Sequence, residues 1–518
     1  MPDILLCTLN AKFIHASFGL RYLLANLGNL EPRAALVEFD INQRPLEIVE
    51  ALLRHKPRIL GFGVYIWNTT PTREVLGLLR RLAPEILIVL GGPEVSHETE
   101  SQAITGLADY VITGEADLAF ADLCARLLAG ERPPIRILHA PLPDPARLQL
   151  PYRLYTDQDV RNRIVYVEAS RGCPFTCEFC LSSLDVPVRQ VPLDPFLSAM
   201  QALFDRGVRH FKFVDRTFNL NLRTSETILR FFLDRYEPGL FVHFEMIPDR
   251  LPEELRQLIA RFPRGVLQFE VGIQSFNPEV CRLISRKQDD RRLEDNFHFL
   301  TQSTGVHIHA DLIVGLPGED PASFGAGFDR LFRLRPQEIQ VGILKRLRGT
   351  PIIRHDEAWG MVYSPEPPYE ILQTRLIDFE TLQRLRRFAR YWDLVGNSGG
   401  FKASTRQLGG FGPSPFATLL RFSDWAHAEV QRTHAIALNT LAELLFRFQV
   451  EELHLPREQA AETLREDFVG AGRTELPPFL RLALPAEMAP KLGRRTRAAQ
   501  RQARHGGADQ PAAKPLAS

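Results

Sequence analysis

Three cysteines, Cys173, Cys177 and Cys180, stand at C-x3-C-x2-C spacing in the stretch RGCPFTCEFC of a 518-residue chain. Thiolates are favoured ligands of iron–sulfur clusters, and a short loop can wrap three of them around one corner of a cluster. An electron-transfer [4Fe–4S] centre is held by four cysteines. A set of three leaves one iron open to a substrate or cofactor, which points to a cluster that does chemistry. The alternatives are a structural zinc site or unrelated core thiols. Structural zinc wants paired ligand motifs, and no second Cys/His pair at such spacing lies nearby.

The loop must be held by the elements around it. It follows an extended run, IVYVEAS, and is followed by five more β-rich runs: FKFVDRTFNL, LFVHFEMI, VLQFEVGIQSF, HIHADLIVGLPGED and EIQVGILKRLRG. Helical segments such as DPFLSAMQALFDRG and LPEELRQLIARF fall between them. Six strands at roughly 30–40-residue spacing fit a partial (β/α)6 barrel of the TIM type, whose functional residues gather at the C-terminal strand ends. Polar residues fall at those ends: Asp215 and Asn219, Glu245, Gln274 and Ser275, and the turn from Gly315 to Glu319.

The cysteine stretch, with Phe179 just before the last thiol, resembles the signature of the radical SAM superfamily. The resemblance implies an open iron that chelates S-adenosylmethionine (SAM), cleavage to a 5′-deoxyadenosyl radical, and a one-electron reductant such as flavodoxin or ferredoxin. It extends to the strand ends. FVDRTFN is similar to the segment that would place Asp215 near the methionine end of SAM. FEVGIQS is similar to the one that brings Glu270, Gln274 and Ser275 to its ribose or methionine. DLIVGLPGE, with Gly315 and Pro317, is similar to the turn that lies against adenine. Each of these segments also reads as a packed or capped strand end. No residue is assigned as a protein acid or base.

Upstream, residues 1–140 alternate strands (DILLCTL, AALVEFDI, ILGFGVYIW, ILIVLGG, YVIT) with helical stretches (SFGLRYLLANLG, PLEIVEALLRHK, TREVLGLLRRLAP). That alternation predicts a Rossmann-like, doubly wound parallel sheet that binds ligands at the carboxyl ends of its strands. Glycines gather there, at Gly61, Gly63, Gly91, Gly92 and Gly114, the last followed by Glu115. The region resembles a cobalamin-binding domain. The resemblance implies that Gly91 and Gly92 and the loop of Tyr65, Ile66 and Trp67 line the nucleotide tail, with Gly114 and Glu115 in the same cobalamin site. The Asp-x-His-x-x-Gly loop of several cobalamin enzymes is absent. His15 stands nearby out of register, as a cobalt ligand or as a hydrogen-bonding residue near a helix start. A Rossmann-like fold with no cofactor remains the alternative.

Residues 141–158 are proline-rich and read as a linker to the barrel of residues 159–351. Lys345, Arg346 and Arg348 read as contacts for an anionic substrate or as a solvated loop. Residues 352–490 are expected to form a mainly helical domain. It opens on an irregular aromatic stretch with no clear strands and continues in two long amphipathic helices, LQTRLIDFETLQRLRRFARYWDLV and SDWAHAEVQRTHAIALNTLAELLFRFQ. His427 and His434 would share a face of the second, as a ligand pair or as ordinary core or surface histidines. This part resembles the extra domain of an uncharacterised branch of cobalamin-binding radical SAM proteins, which would close the barrel mouth and choose the substrate. Residues 491–518, basic and then small and polar, are expected to be disordered.

A formal net charge of +1 gives no general drive toward nucleic acid or membrane, although the basic tail could touch RNA. No apolar run reaches the roughly 18–20 residues of a membrane span, and the N-terminus lacks a secretory pattern. Cys7, Cys124 and Cys281 read as buried thiols, and a reducing cytoplasm fits six cysteines with no disulfide framework. The expected function is a radical SAM enzyme with a [4Fe–4S] cluster, using cobalamin for methyl transfer. The alternatives are a radical SAM enzyme without functional cobalamin, acting on tRNA, peptide or lipid, and a non-catalytic sensor of cobalamin or redox state.

Overall fold

The computed structural model describes residues 1–484 apart from Val186 and Thr474. Six parallel strands form the first sheet: β1 (Ile4–Asn10), β2 (Ala34–Asp40), β3 (Ile59–Gly63), β4 (Leu87–Gly91), β5 (Tyr110–Thr113) and β6 (Ile137–His139). Their order, β2-β1-β3-β4-β5-β6, changes direction at β1, so the crevice for a ligand opens at the carboxyl ends of β1 and β3. Every residue of β1 and β3 is buried, as expected of strands covered on both faces. The helix Thr69–Leu82 shows the complementary pattern, burying Thr72, Val75, Leu76 and Leu79 on one stripe. Strand β6 was not foreseen. It is three residues long, follows two prolines and is only partly buried, so it carries little periodic signal.

The second parallel sheet begins with β7 (Val165–Val167), whose end runs into a small antiparallel pair, β8 (Ser170–Arg171) and β9 (Arg189–Gln190). It continues through β10 (His210–Phe213), β11 (Phe241–Met246), β12 (Leu267–Gln274), β13 (His307–Val314) and β14 (Glu338–Ile343), each beside the next. This is the expected partial barrel. Period-two alternation sorts its side chains. On β12, Leu267, Phe269, Val271 and Ile273 are buried, while Glu270 and Gln274 line the cavity at the barrel mouth. Register sets Glu245, Glu270 and His309 side by side on β11, β12 and β13. Phe218 stacks on Phe244 at 3.7 Å in the aromatic packing of the core.

Six strands do not close a cylinder, so β7 and β14 are edges. Each is covered by a flanking domain. At β7, Ile164 N–H donates to the Ile14 carbonyl of the N-terminal domain at 2.9 Å. At β14, Asn397 exchanges two hydrogen bonds with the backbone of Ile339, both 2.9 Å, and the Trp392 indole N–H donates to the same carbonyl at 2.6 Å.

The C-terminal part is mainly helical, with three departures from expectation. The aromatic stretch contains an antiparallel pair, β15 (Val362–Tyr363) and β16 (Ile371–Gln373). The first long helix begins only at Phe379, where the Asp378 carboxylate caps it by accepting from Thr381 N–H at 2.8 Å. The second is two helices, Pro415–Val430 and Leu438–Arg447, because Gln431 adopts φ +51° and ends the first as a left-handed cap. His434 therefore lies outside any helix, and the shared face with His427 does not exist. Among the described residues no helix is long and apolar enough to cross a membrane. The basic tail lies outside the described residues.

Candidate active site

The cysteine loop is braced from four sides. Gly172 takes φ +91°, and a Cβ there would fall 2.6 Å from the Asp185 carbonyl, which instead accepts from Cys173 N–H at 3.0 Å. Beneath the loop, Asp215 accepts from Ala169 N–H at 3.0 Å and from the Ser170 hydroxyl at 2.7 Å. Glu178, between the second and third cysteines, is buried. It accepts from the Ser285 hydroxyl at 2.6 Å, meets the His355 imidazole at 2.8 Å and pairs with Arg354.

Thus held, Cys173, Cys177 and Cys180 line one cavity of about 250 Å³ together with Phe179, Arg216, Thr217, Glu245, Glu270, Gln274, Arg286 and Asp311. Among the described residues no three His, Cys, Asp or Glu side chains converge on a single-ion site. Thiols spread around one cavity suit a polynuclear cluster, whose ligands each take a different metal. Burial pushes the Cys173 and Cys177 thiols up, so iron binding must displace their protons. Across the cavity, Glu245 pairs with Arg216 at 2.9 Å and Glu270 with His243 at 3.1 Å. Burial, together with repulsion from Glu270 and Glu245, holds Asp311 well above the usual carboxylate range. Thr217 Oγ1, Gln274 Oε1 and Asp311 Oδ1 are buried without a hydrogen bond, which is what the walls of a polar-ligand site offer.

Not every expected residue reaches this cavity. Asp215 is spent on the loop above it, and burial pushes its carboxyl up to about 7. Ser275 donates to Glu319 at 2.5 Å, away from the lining. Gly315 takes φ +90°, and a Cβ there would lie 2.7 Å from Ile371 of β16. Its close approach is thus to protein. Pro317 is buried in the same turn.

A second cavity, of about 210 Å³, opens at the glycine-rich edge of the first sheet. Gly91, Gly92, Gly114, Glu115 and Tyr65 line it, with apolar walls from Leu20, Leu23, Phe62, Val89, Ile112 and Phe120. Gly92 takes φ +109°, and a Cβ there would sit 2.5 Å from the Val64 carbonyl, so only glycine lets the two loops meet. This apolar, glycine-edged slot fits the aromatic end of a nucleotide tail. Ile66 and Trp67 lie outside the lining. Trp67, 46% exposed, stacks on Tyr65 at 4.5 Å. His15 does not face the cavity as a metal ligand. Its Nδ1 lies 2.5 Å from the Tyr166 hydroxyl of β7.

A third cleft has lining residues in common with each of the two cavities. Arg171, two residues before the first cysteine, lines the slot and bridges Glu115 and Asp117, each at 2.9 Å, and Glu168 at 2.8 Å. That cleft, of about 210 Å³, shares Glu115 and Arg171 with the slot and Ser182 and Arg216 with the cysteine cavity. Sequence reasoning passed over Arg171 and Asp117, whose only signal was adjacency to motif residues. It also passed over Asp311, which alternation along HIHADLIV could have placed in the lumen. In the basic run after β14, Lys345 is exposed, whereas the two arginines are engaged with the first domain. Arg346 pairs with Glu98, and Arg348 with Glu94 at 3.0 Å and Glu98 at 2.9 Å. Both carboxylates belong to the loop after β4.

Comparison with known proteins follows the same division. Residues 4–124 match the B12 binding domain family, residues 167–330 the radical SAM superfamily, and residues 357–502 a family described as protein of unknown function (DUF4080). The chain is 25% identical over 352 residues to the 2-(S-pantetheinyl)-carbapenam-3-carboxylate methyltransferase of Streptantibioticus cattleyicolor, covering 60% of this chain and 50% of that protein. It is 22% identical to the cobalamin-dependent radical SAM methyltransferase TokK of Streptomyces tokunonensis, covering 61% and 51%. The chain thus spans about half the length of these two curated relatives. Its fold is shared with the cobalamin-dependent SAM radical enzyme OxsB in its aqua-cobalamin and SAM complex (TM-score 0.58, 13% identity, 90% of this chain and 84% of that one). It is also shared with the methyltransferase TsrM of Kitasatospora setae bound to cobalamin and a [4Fe–4S] cluster (TM-score 0.56, 19% identity, 70% and 76%).

Proposed function

We propose that this chain, a radical SAM protein with an N-terminal B12-binding domain and a C-terminal DUF4080 domain, is a cobalamin-dependent radical SAM methyltransferase. The observation that carries the reading is that the glycine-edged slot and the cavity of the three cysteines both adjoin one cleft, which Arg171 lines with the first and Arg216 with the second. A sensor or a cofactor-free Rossmann domain has no need to set such a slot close to three cysteines. When bound, the cluster and cobalamin supply an electron for SAM cleavage and a transferable methyl group.

The protein residues do the rest. Cys173, Cys177 and Cys180 hold three irons. Phe179, Glu270 and Gln274 border the space left for SAM, and Gln274 Oε1 and the Asp311 carboxyl, neither hydrogen-bonded within the protein, offer polar contacts to it or to the substrate. Gly91, Gly92, Gly114, Glu115 and Tyr65 receive the nucleotide tail. Arg171 and Arg348 fix the two domains edge to edge, so that groups carried by each are held close together. The reductant is a low-potential one-electron donor such as flavodoxin or ferredoxin.

The test is anaerobic purification from cells supplied with cobalamin, with iron, sulfide and corrin measured on one sample, followed by incubation with isotope-labelled SAM. Iron, corrin and 5′-deoxyadenosine together support the reading. Iron without corrin reduces it to a radical SAM enzyme that leaves the slot unused. A Cys173→Ala variant with the parent's iron content would sink it.

A further inference from the structure

We propose that Arg286 sets the reduction potential of the cluster by donating a charged hydrogen bond to the sulfur of Cys177. The proposal rests on the cluster reading above and assigns to one side chain a task that the reading leaves open.

Arg286 Nη1 lies 3.8 Å from Cys177 Sγ, within hydrogen-bonding range for sulfur. The other guanidinium nitrogens are occupied: Nη2 donates to the Gly272 carbonyl and Nε to Gln288 Oε1 at 3.0 Å. A planar fork held at two corners aims the third, so the contact is a fixed feature of the loop. The backbone is fixed as well. Arg286 N–H donates to the Cys281 carbonyl at 2.8 Å. The preceding residues clasp the cysteine loop, Ser285 through its hydroxyl on Glu178 and Ile284 through its carbonyl on Glu178 N–H at 3.1 Å. Gly272 makes room for this arrangement. A Cβ there would fall 2.5 Å from Gln274 Nε2 and 4.0 Å from Arg286 Nη2.

Cys177 is only 8% exposed, so water screens the guanidinium poorly. Reduction adds one electron to the cluster, [4Fe–4S]²⁺ becoming [4Fe–4S]⁺, and concentrates negative charge on its sulfurs. A cationic donor on a ligating sulfur favours the more negative form and raises the potential. Arg286 also stands between two spaces, the cysteine cavity and an outer cavity of about 620 Å³ lined by Thr176, Cys281 and Lys287. Lys287 borders both cavities, is exposed and donates to no cysteine, which makes it the control.

The experiment uses the full chain, anaerobically reconstituted, as parent, Arg286→Gln, Arg286→Lys and Lys287→Gln. Iron and sulfide are measured first. Each sample is then titrated with dithionite and mediators, without SAM, and the reduced cluster is followed by electron paramagnetic resonance. With full iron, Arg286→Gln lowers the reduced-to-oxidised ratio at a fixed potential by about tenfold, equivalent to about 59 mV for a one-electron couple. Arg286→Lys falls between it and the parent, and Lys287→Gln stays within about twofold because an exposed charge is screened. A fully loaded Arg286→Gln that titrates with the parent overturns the proposal. So does an equal shift in Lys287→Gln, which would make the effect one of general charge. Loss of the cluster from both Arg286 variants overturns it too, by giving the residue a role in assembly. A parent that binds no iron removes the cluster reading itself and is recognised before any variant is made.

Discussion

Replacing Arg348 by methionine keeps the aliphatic stem and removes the guanidinium that joins the loop after β14 to the loop after β4. In the parent, Arg348 touches Glu94 at 3.0 Å, Glu98 at 2.9 Å and the Tyr369 hydroxyl at 3.0 Å. The Glu94 side chain is 3% exposed and that of Glu98 33%, so the two pairs do not weigh equally. Removing one partner of a buried pair costs about 3–5 kcal/mol. The half-exposed pair adds about 0–1 kcal/mol. Glu94 retains the Tyr369 hydroxyl at 2.7 Å, which places the total near the lower end, about 3 kcal/mol. Amides of residues 94–98 that exchange when this contact opens should then exchange about 10²-fold faster, one decade per 1.4 kcal/mol. The assay is hydrogen–deuterium exchange on the parent, Arg348→Met, Glu94→Gln and the double variant. Since Glu94→Gln removes the stranded charge, the double variant should cost less than the sum of the single ones. Unchanged exchange in Arg348→Met, or strict additivity, would refute the clamp.

Three further outcomes follow from single residues. Burial pushes Glu319 from 4.5 up to about 7, so the native state keeps a proton that the unfolded chain sheds. That stabilising term is complete below pH 4.5 and disappears as pH rises through about 7, a change of about 3 kcal/mol. Glu319→Gln should therefore gain on the parent in melting temperature from pH 5 to pH 8, and a gap independent of pH would count against the assignment. Asp467 accepts from Ala403 N–H, Ser404 N–H and the Ser404 hydroxyl at the start of the helix Lys402–Gly409. Asp467→Ala should cost about 2–3 kcal/mol, read as a lower melting temperature with iron unchanged. Gly92→Ala forces a Cβ against the Val64 carbonyl. It should abolish corrin retention while sparing the cluster, and corrin bound at the parent's level would disprove the glycine argument.

The parts of this architecture written in local pattern could be read in advance. Alternation between apolar strands and amphipathic helices located five of the six strands of the first sheet. The three cysteines announced a shared cavity by spacing alone. What stayed hidden depends on partners far away in the chain. Arg348 and Glu94 are 254 residues apart, and nothing near either marks it as paired. Gly315 illustrates a subtler limit. Its φ of +90° was foreseeable from the turn, but whether the missing side chain makes room for a ligand or for Ile371 depends on a strand 56 residues later that local periodicity did not disclose. The break at Gln431 was equally silent, because the apolar stripe resumes in the next helix and masks the left-handed cap between them.

The two edge strands of the barrel bear on how freely its segments can be recombined. Domain-sized matches invite the idea that each piece is a portable unit, yet the edge of β7 finds its hydrogen-bond partner in Ile14 and the edge of β14 in Asn397 and Trp392. Expressed alone, residues 159–351 would present both edges as templates for strand addition, the usual route to aggregates. Transplanting a foreign N-terminal or C-terminal domain would need to supply these backbone contacts as well as matching ion pairs. During synthesis the constraint has a direction. The first sheet is complete before β7 is made, so one edge meets its cover at once, while β14 must wait for the helix Phe379–Val395 to emerge.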